Sequence, residues 1–192
     1  IDINHLKFFE NPMDMLSDNK IDVIVELIGG DEGVAKDLCF SALKNNKAVI
    51  TANKALIAKH GDYLSKLAEK HKVNLEFEAS VAGGIPILRT IKEGLATNKI
   101  FKVYGILNGT CNYILSQMEK SNNQFKDVLK KAQKLGYAEP GNPKLDLNGY
   151  DAFAKVRILS ALAFNNKISK KKCLMEGIET VSYTHLRAHE TR

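Results

Sequence analysis

Asp151 and Lys155 stand four residues apart in the segment YDAFAKVRILSALAF, Tyr150 to Phe164. Four residues is close to one helical turn, so on a helix the acid and the amine lie one above the other on a single face. Ile158 and Leu162 carry that face onward with apolar side chains, so the charged pair extends a core-facing stripe. The loop before it, LGYAEPGNPKLDLNG, adds Glu139 and Asp146. An acid, a lysine and a glutamate converging at the edge of a core look like a polar active site. The same residues also have a plainer reading. An exposed Asp–Lys pair at this spacing is worth roughly 0.3–0.5 kcal/mol, and an acid in a first helical turn is favoured by the helix dipole alone.

The elements that must position these groups follow from periodicity. Residues 1–20 are mixed and polar, with helix-like spacing around Met13, Met15 and Leu16. Ile21 to Gly30, IDVIVELIGG, is a nearly continuous apolar run ending in two glycines, which predicts a buried parallel strand and a tight turn. Val34, Leu38, Ala42 and Leu43 then repeat with helical spacing, and Ala48 to Thr51 reads as a second strand. Strand, helix, strand is a βαβ unit. A helix-rich segment with a break at Gly61 and a third strand, Leu75 to Ser80, extend the alternation. In such sheets ligands sit at the carboxyl ends of the strands. Those ends are Gly29–Gly30, Thr51–Lys54 and Glu78–Gly84. The plainer alternatives are a strand-to-helix turn for the glycines, a helix cap for Asn53 and a solvated first-turn side chain for Lys54.

SVAGGIPIL reads as a glycine loop opening a helix near Pro86, with amides suited to an anion and carbonyls suited to a cation. Ile100 to Leu107 alternates like an antiparallel strand, NGT starts a helix with Tyr113, Ile114 and Met118 as core, and Phe125 to Leu135 forms another. The expected fold is α/β: a partial Rossmann-type doubly wound parallel sheet over residues 1–76, then an α+β catalytic and substrate domain over 77–180. The G-x-G-x-x-G turn of a dinucleotide fold and its strand are missing, so the chain reads as a fragment. SYTHLRAHETR continues no earlier pattern, so residues 181–192 are expected to be a non-native tail.

Composition narrows the function classes. No apolar run approaches the ~18 residues of a membrane span, and the N-terminus lacks the pattern of a signal peptide. The net charge of +6 is spread over lysines with acids between them, apart from Lys170 to Lys172, and no aromatic-interleaved basic patch occurs, which argues against a nucleic-acid surface. Cys39, Cys111 and Cys173 are odd in number and contain no CxxC, which fits reduced thiols in a cytoplasm; the histidines have no metal-ligand spacing.

Five blocks in order, VIVELIGG, VITANKALIA, FEASVAGGIPI, GILNGTCNYIL and GYAEP…DLNGYDAFAK, resemble homoserine dehydrogenase, which interconverts aspartate 4-semialdehyde and homoserine with NAD or NADP in the pathway to threonine, methionine and isoleucine. The resemblance implies that Lys155 is the proton donor to the carbonyl oxygen and that Asp151 binds and orients substrate beside it. It implies that Glu139 binds the substrate ammonium, supported by Asp146, and that Lys54 lies beside nicotinamide and substrate. Gly29, Gly30, Asn53, Lys54, Gly136 and Glu139 would line the cofactor. A sodium-type cation would sit on carbonyls of Glu78, Val81, Gly83 and Ile85. It also implies a homodimer, formed through the second domain. The loop after Glu139 reads PGNPKLD, one residue longer than the family's common form. The chemistry is consistent: hydride addition builds negative charge on oxygen, and a nearby ammonium neutralises that charge and delivers a proton.

Two other readings compete. Cys111, following Asn108-Gly109-Thr110 at a helix N-terminus, resembles the nucleophile of acylating aldehyde dehydrogenases; such a thiol wants a histidine base, and downstream only His185 and His189 exist. A non-catalytic Rossmann-like assembly module is the other; the intact Glu139, Asp151 and Lys155 argue against it.

Overall fold

Two β-branched runs, VIVE and AVIT, and a short LE pair form a parallel sheet in the computed structural model, which describes residues 4–121, 123–141, 143–165 and 173–182. β1 (Val23–Glu26), β2 (Ala48–Thr51) and β3 (Leu75–Glu76) lie in the order β1-β2-β3. Val23 sits opposite Ala48, Glu26 opposite Thr51, and Val49 opposite Leu75. Parallel neighbours need crossover connections, here α1 (Val34–Lys44) and α2 (Lys54–His71). The chain divides into two compact units, Ile1–Asn98 and Lys99–Arg192.

The first unit packs by helical and strand periodicity. α1 buries Ala35, Leu38, Cys39, Ala42 and Leu43, one stripe at helical spacing, and the buried leucines contribute on the order of 2 kcal/mol each. Val34, predicted to begin that stripe, is exposed. Along β1, Ile24 is 2% exposed and Val25 58%, so the run alternates instead of being buried on both faces. Among the described residues, helices cover one face of the sheet, and Val23, Val25 and Ile50 line the other. The predicted break at Gly61 does not occur. α2 runs through it because Leu56, Ile57, Leu64, Leu67 and Ala68 keep one buried face across the glycine, whose intrinsic cost is only ~0.5–1 kcal/mol.

The third strand is shorter than predicted. After β3 the chain turns into a 3-10 helix, Glu78–Ser80, and then a short helix, α3 (Ile87–Arg89), that continues as a π-helical turn over Thr90–Gly94. The carboxylate of Glu78 accepts the amides of Leu88 at 3.0 Å and Arg89 at 2.8 Å, and so ties that helix back to the end of β3. Residues 77–98 cluster with the first unit, and the expected boundary lay at 76/77.

The described second unit is helical: α4 (Gly109–Ser121), α5 (Phe125–Lys134), α6 (Lys144–Leu147) and α7 (Tyr150–Phe164). Ile114, Met118, Val128, Ala132, Ala138 and Leu147 form its core, with Tyr113 and Ile178 packed against them. Tyr113, expected in the core, is half-buried at its edge and stacks on exposed Tyr137 at 4.4 Å. Ile100–Leu107 forms no strand, a correction with a plain cause: an extended segment needs a partner ladder, and the described chain offers none. Phe101, Tyr104 and Ile106 accordingly stand exposed. Residues 173–182 cross the α6–α7 turn, with the amide of Ile178 donating to the Leu147 carbonyl at 2.8 Å. Gly177 is required there, because a Cβ on it would lie 2.7 Å from that carbonyl oxygen. Lys170–Lys172, His185, His189 and most of the expected tail (residues 183–192) lie outside the described residues.

Candidate active site

At the carboxyl end of the sheet, Glu26 is a buried carboxylate in an otherwise apolar strand. Its Oε1 accepts the amides of Ile28 at 2.8 Å and Gly29 at 2.9 Å, and its Oε2 accepts the Thr51 hydroxyl at 2.6 Å. Thr51 Oγ1 accepts the Asn53 amide at 2.9 Å, and Asn53 Nδ2 donates to the Gly30 carbonyl at 2.6 Å. Asn53 Oδ1 also caps α2 by accepting from Leu56 at 3.0 Å. These bonds close a ring joining the ends of β1 and β2. The ring sets Gly29 and Gly30 at φ +86° and +83°, the left-handed region that glycine enters without strain. Gly29, Gly30 and Asn53 are thus brought together, with Lys54 as the first residue of α2 beside them. Sequence reading passed over Glu26 and gave Thr51 no role beyond marking a strand end. The available signal was a lone acid inside an apolar strand, since such an acid is buried only when fully partnered.

In the glycine loop of the same unit, the Glu78 carbonyl accepts from Val81 at 3.4 Å and the Ile85 carbonyl from Ile87 at 2.7 Å. A carbonyl oxygen has two lone pairs, so Glu78, Val81, Gly83 and Ile85 still offer neutral oxygen donors of the kind a hard cation takes. Among the described residues no group of three or more His, Cys, Asp or Glu side chains could hold a metal ion. The amides expected to attract an anion are taken by the Glu78 carboxylate.

In the second unit Asp151, 6% exposed by side chain, sits in the first turn of α7, and Lys155, 20% exposed, stands one turn on. Lys155 Nζ donates to Asp151 Oδ2 at 2.8 Å and to the Leu107 carbonyl at 2.8 Å. The pair is therefore largely buried and multiply bonded, unlike a solvated surface pair. Ile158 continues the stripe as buried core, and Leu162 is half-buried. Asp146, on α6, joins through Asn108, whose Nδ2 donates to Asp146 Oδ1 at 2.8 Å and to Asp151 Oδ2 at 2.9 Å. Thr110 Oγ1 lies 2.7 Å from the Tyr137 carbonyl and 3.1 Å from Asp146 Oδ2. Asn108 and Thr110 carried no predicted role. Glu139 lies outside this network: it is exposed, and its carbonyl accepts from Gln133 Nε2 at 3.1 Å. Gly136 follows the C-terminus of α5.

Cys111 does not look like a nucleophile. Burial first, then the charges of Asp146 and Asp151, push its thiol up to about 11, and its Sγ lies 3.3 Å from the Asp146 carbonyl. A helix N-terminus lowers a thiol pKa, but desolvation and two neighbouring acids outweigh it here. The acylating reading is corrected on that ground. A cavity of about 270 Å³ opens beside this cluster, lined by Leu107, Asn108, Cys111, Asp146, Ala152 and Glu176 among others.

Two family models match the chain: "Homoserine dehydrogenase, NAD binding domain" over residues 3–78 and "Homoserine dehydrogenase" over 86–192. A homoserine dehydrogenase of Neisseria gonorrhoeae is 47% identical over 171 residues, 89% of this chain and 39% of that protein. The chain thus spans well under half the length of that curated relative. The crystal structure of a homoserine dehydrogenase from Thiobacillus denitrificans superposes with a TM-score of 0.89 at 46% identity, covering 95% of this chain and 42% of that one. A hyperthermophilic archaeal homoserine dehydrogenase in complex with NADPH does so with a TM-score of 0.83 at 26% identity, covering 93% and 54%. On the family match and these relatives together, the chain belongs to the homoserine dehydrogenase family.

Proposed function

We propose that the protein containing this chain interconverts L-aspartate 4-semialdehyde and L-homoserine with NAD or NADP, in the aspartate-derived route to threonine, methionine and isoleucine. The observation that carries the reading is the anchoring of Lys155 at 2.8 Å to both Asp151 and the Leu107 carbonyl. An ammonium has three donors, and with two of them engaged the third serves the substrate's carbonyl oxygen. In the reducing direction the cofactor, when bound, supplies hydride to the aldehyde carbon. Negative charge then grows on oxygen, the Lys155 ammonium stabilises it, and a proton passes from Nζ to complete the alcohol. The neutral amine regains its proton from solvent. Asp151 holds Nζ in place and orients the substrate, Asp146 supports that pocket, and Glu139 takes the substrate ammonium.

Gly29, Gly30, Asn53, Lys54, Gly136 and Glu139 are proposed to line the cofactor. The clamp that joins the ends of β1 and β2 supports that assignment, as does the family resemblance. The carbonyls of Glu78, Val81, Gly83 and Ile85 are proposed to hold a sodium-type cation. A cytoplasmic homodimer, formed through the second domain, is part of the same reading.

The test replaces the amine. Lys155→Met, assayed in the complete reading frame that contains these residues, is expected to lower kcat by about 10²–10⁴-fold. Lys155→Arg, which keeps the charge but gives up its proton far less readily, is expected to stay low as well. Near-normal turnover by Lys155→Met would overturn the proton-donor role.

A further inference from the structure

We infer that Asn108 is a positioning residue of this site: its carboxamide fixes the side-chain orientation of Asp151 and, through it, the Lys155 ammonium. The inference rests on the proton-donor reading above. Asp146 and Asp151 are two acids converging on one place, and their charges repel. A neutral NH2 group with two N–H bonds satisfies one oxygen of each, at 2.8 and 2.9 Å, without adding a cation that would compete with Lys155 for Asp151. The oxygen that it holds is the one Lys155 uses, Asp151 Oδ2.

The carboxamide is itself locked. Its Oδ1 accepts the amide of Cys111 at 2.7 Å, in the first turn of α4. Rotating it by half a turn would point the oxygen at two carboxylates and the NH2 at an amide donor, so one orientation holds. The preceding residue acts on the same pair, since the Leu107 carbonyl accepts from Lys155 Nζ at 2.8 Å. Residues 107 and 108 therefore grip both members of the Asp151–Lys155 pair from the segment that leads into α4. The lysine's place is set by α7 and by the two residues that lead into α4.

Capping and bridging can be separated. Asn108→Ser and Asn108→Asp both keep a good N-cap, so α4 retains its first turn. Serine is too short to span two carboxylates, and aspartate adds a third negative charge against them. In the complete reading frame, Asn108→Ser is expected to lower kcat for semialdehyde reduction roughly 10- to 100-fold, with the KM for NADPH and the melting temperature little changed. Asn108→Asp is expected to fall further. Wild-type kcat in Asn108→Ser would overturn the inference, as would a fall in melting temperature with kcat unmoved.

A second arm does not depend on turnover. Acetylation of Lys155 by sulfo-NHS-acetate, followed by peptide mass spectrometry against exposed Lys131, is expected to be several-fold faster in Asn108→Ser. An unchanged rate would overturn the positioning role. If wild type fails to reduce the semialdehyde, the proposed function falls while this labelling comparison still decides the role of Asn108.

Discussion

At the scale of single residues, the environment of Cys111 sets its chemistry. Burial and the charges of Asp146 and Asp151 hold its thiol near 11, about two units above an ordinary one. Alkylation runs through the thiolate, so iodoacetamide at pH 8 is expected to modify Cys111 on the order of 100-fold more slowly than an unperturbed thiol. The rate should climb about tenfold per pH unit up to pH 11. Peptide mass spectrometry reads both, and rapid labelling at pH 8 would overturn the assignment. The sequence made Asp151, Lys155 and Asp146 visible, because helical spacing and a polar loop mark acids and amines. Asn108 stayed hidden. Its two carboxylate partners are 38 and 43 residues away, and no local period announces a bond of that span.

At the scale of elements, the ring around Glu26 joins β1, β2 and α2 through side chains. Removing the carboxylate in Glu26→Ala leaves the amides of Ile28 and Gly29 and the Thr51 hydroxyl without their partner. The buried Thr51 hydroxyl costs about 1–3 kcal/mol when unpaired, and the two amides, at an exposed turn, cost less. Unfolding free energy is therefore expected to fall by about 2–5 kcal/mol in urea titrations, and by less in Glu26→Gln, which keeps one acceptor. An unmoved midpoint in Glu26→Ala would contradict the clamp. β2 and α5 were readable almost to the residue, since each has a clean period and clear end signals. Gly61 and Ile100–Leu107 misled for opposite reasons. The glycine sits within a buried face long enough to override its propensity, and the alternating run has no described partner to make a ladder.

At the scale of the whole molecule, stability carries an alkaline signature. Cys39, buried among α1 and the sheet, has its thiol pushed up to about 12, by burial first and then by the charge of Glu26. The folded state keeps that proton where the unfolded state loses it. The contribution is complete below pH 9 and is lost as pH rises towards 12, at about 1.4 kcal/mol per unit. Thermal melts are expected to decline between pH 9 and 11, and more shallowly in Cys39→Ala; parallel declines would refute the link. The α/β character of the first unit was legible from the alternation of strand and helix. The covering of one sheet face was not, since an apolar strand carries the same letters whether one side or both is packed.

Where residues 173–182 pass over Leu147, main chain rests on main chain at Gly177, with no side chain between to act as a cushion. Any side chain at position 177 would push that segment off the end of α6, so the crossing is closed to every residue but glycine.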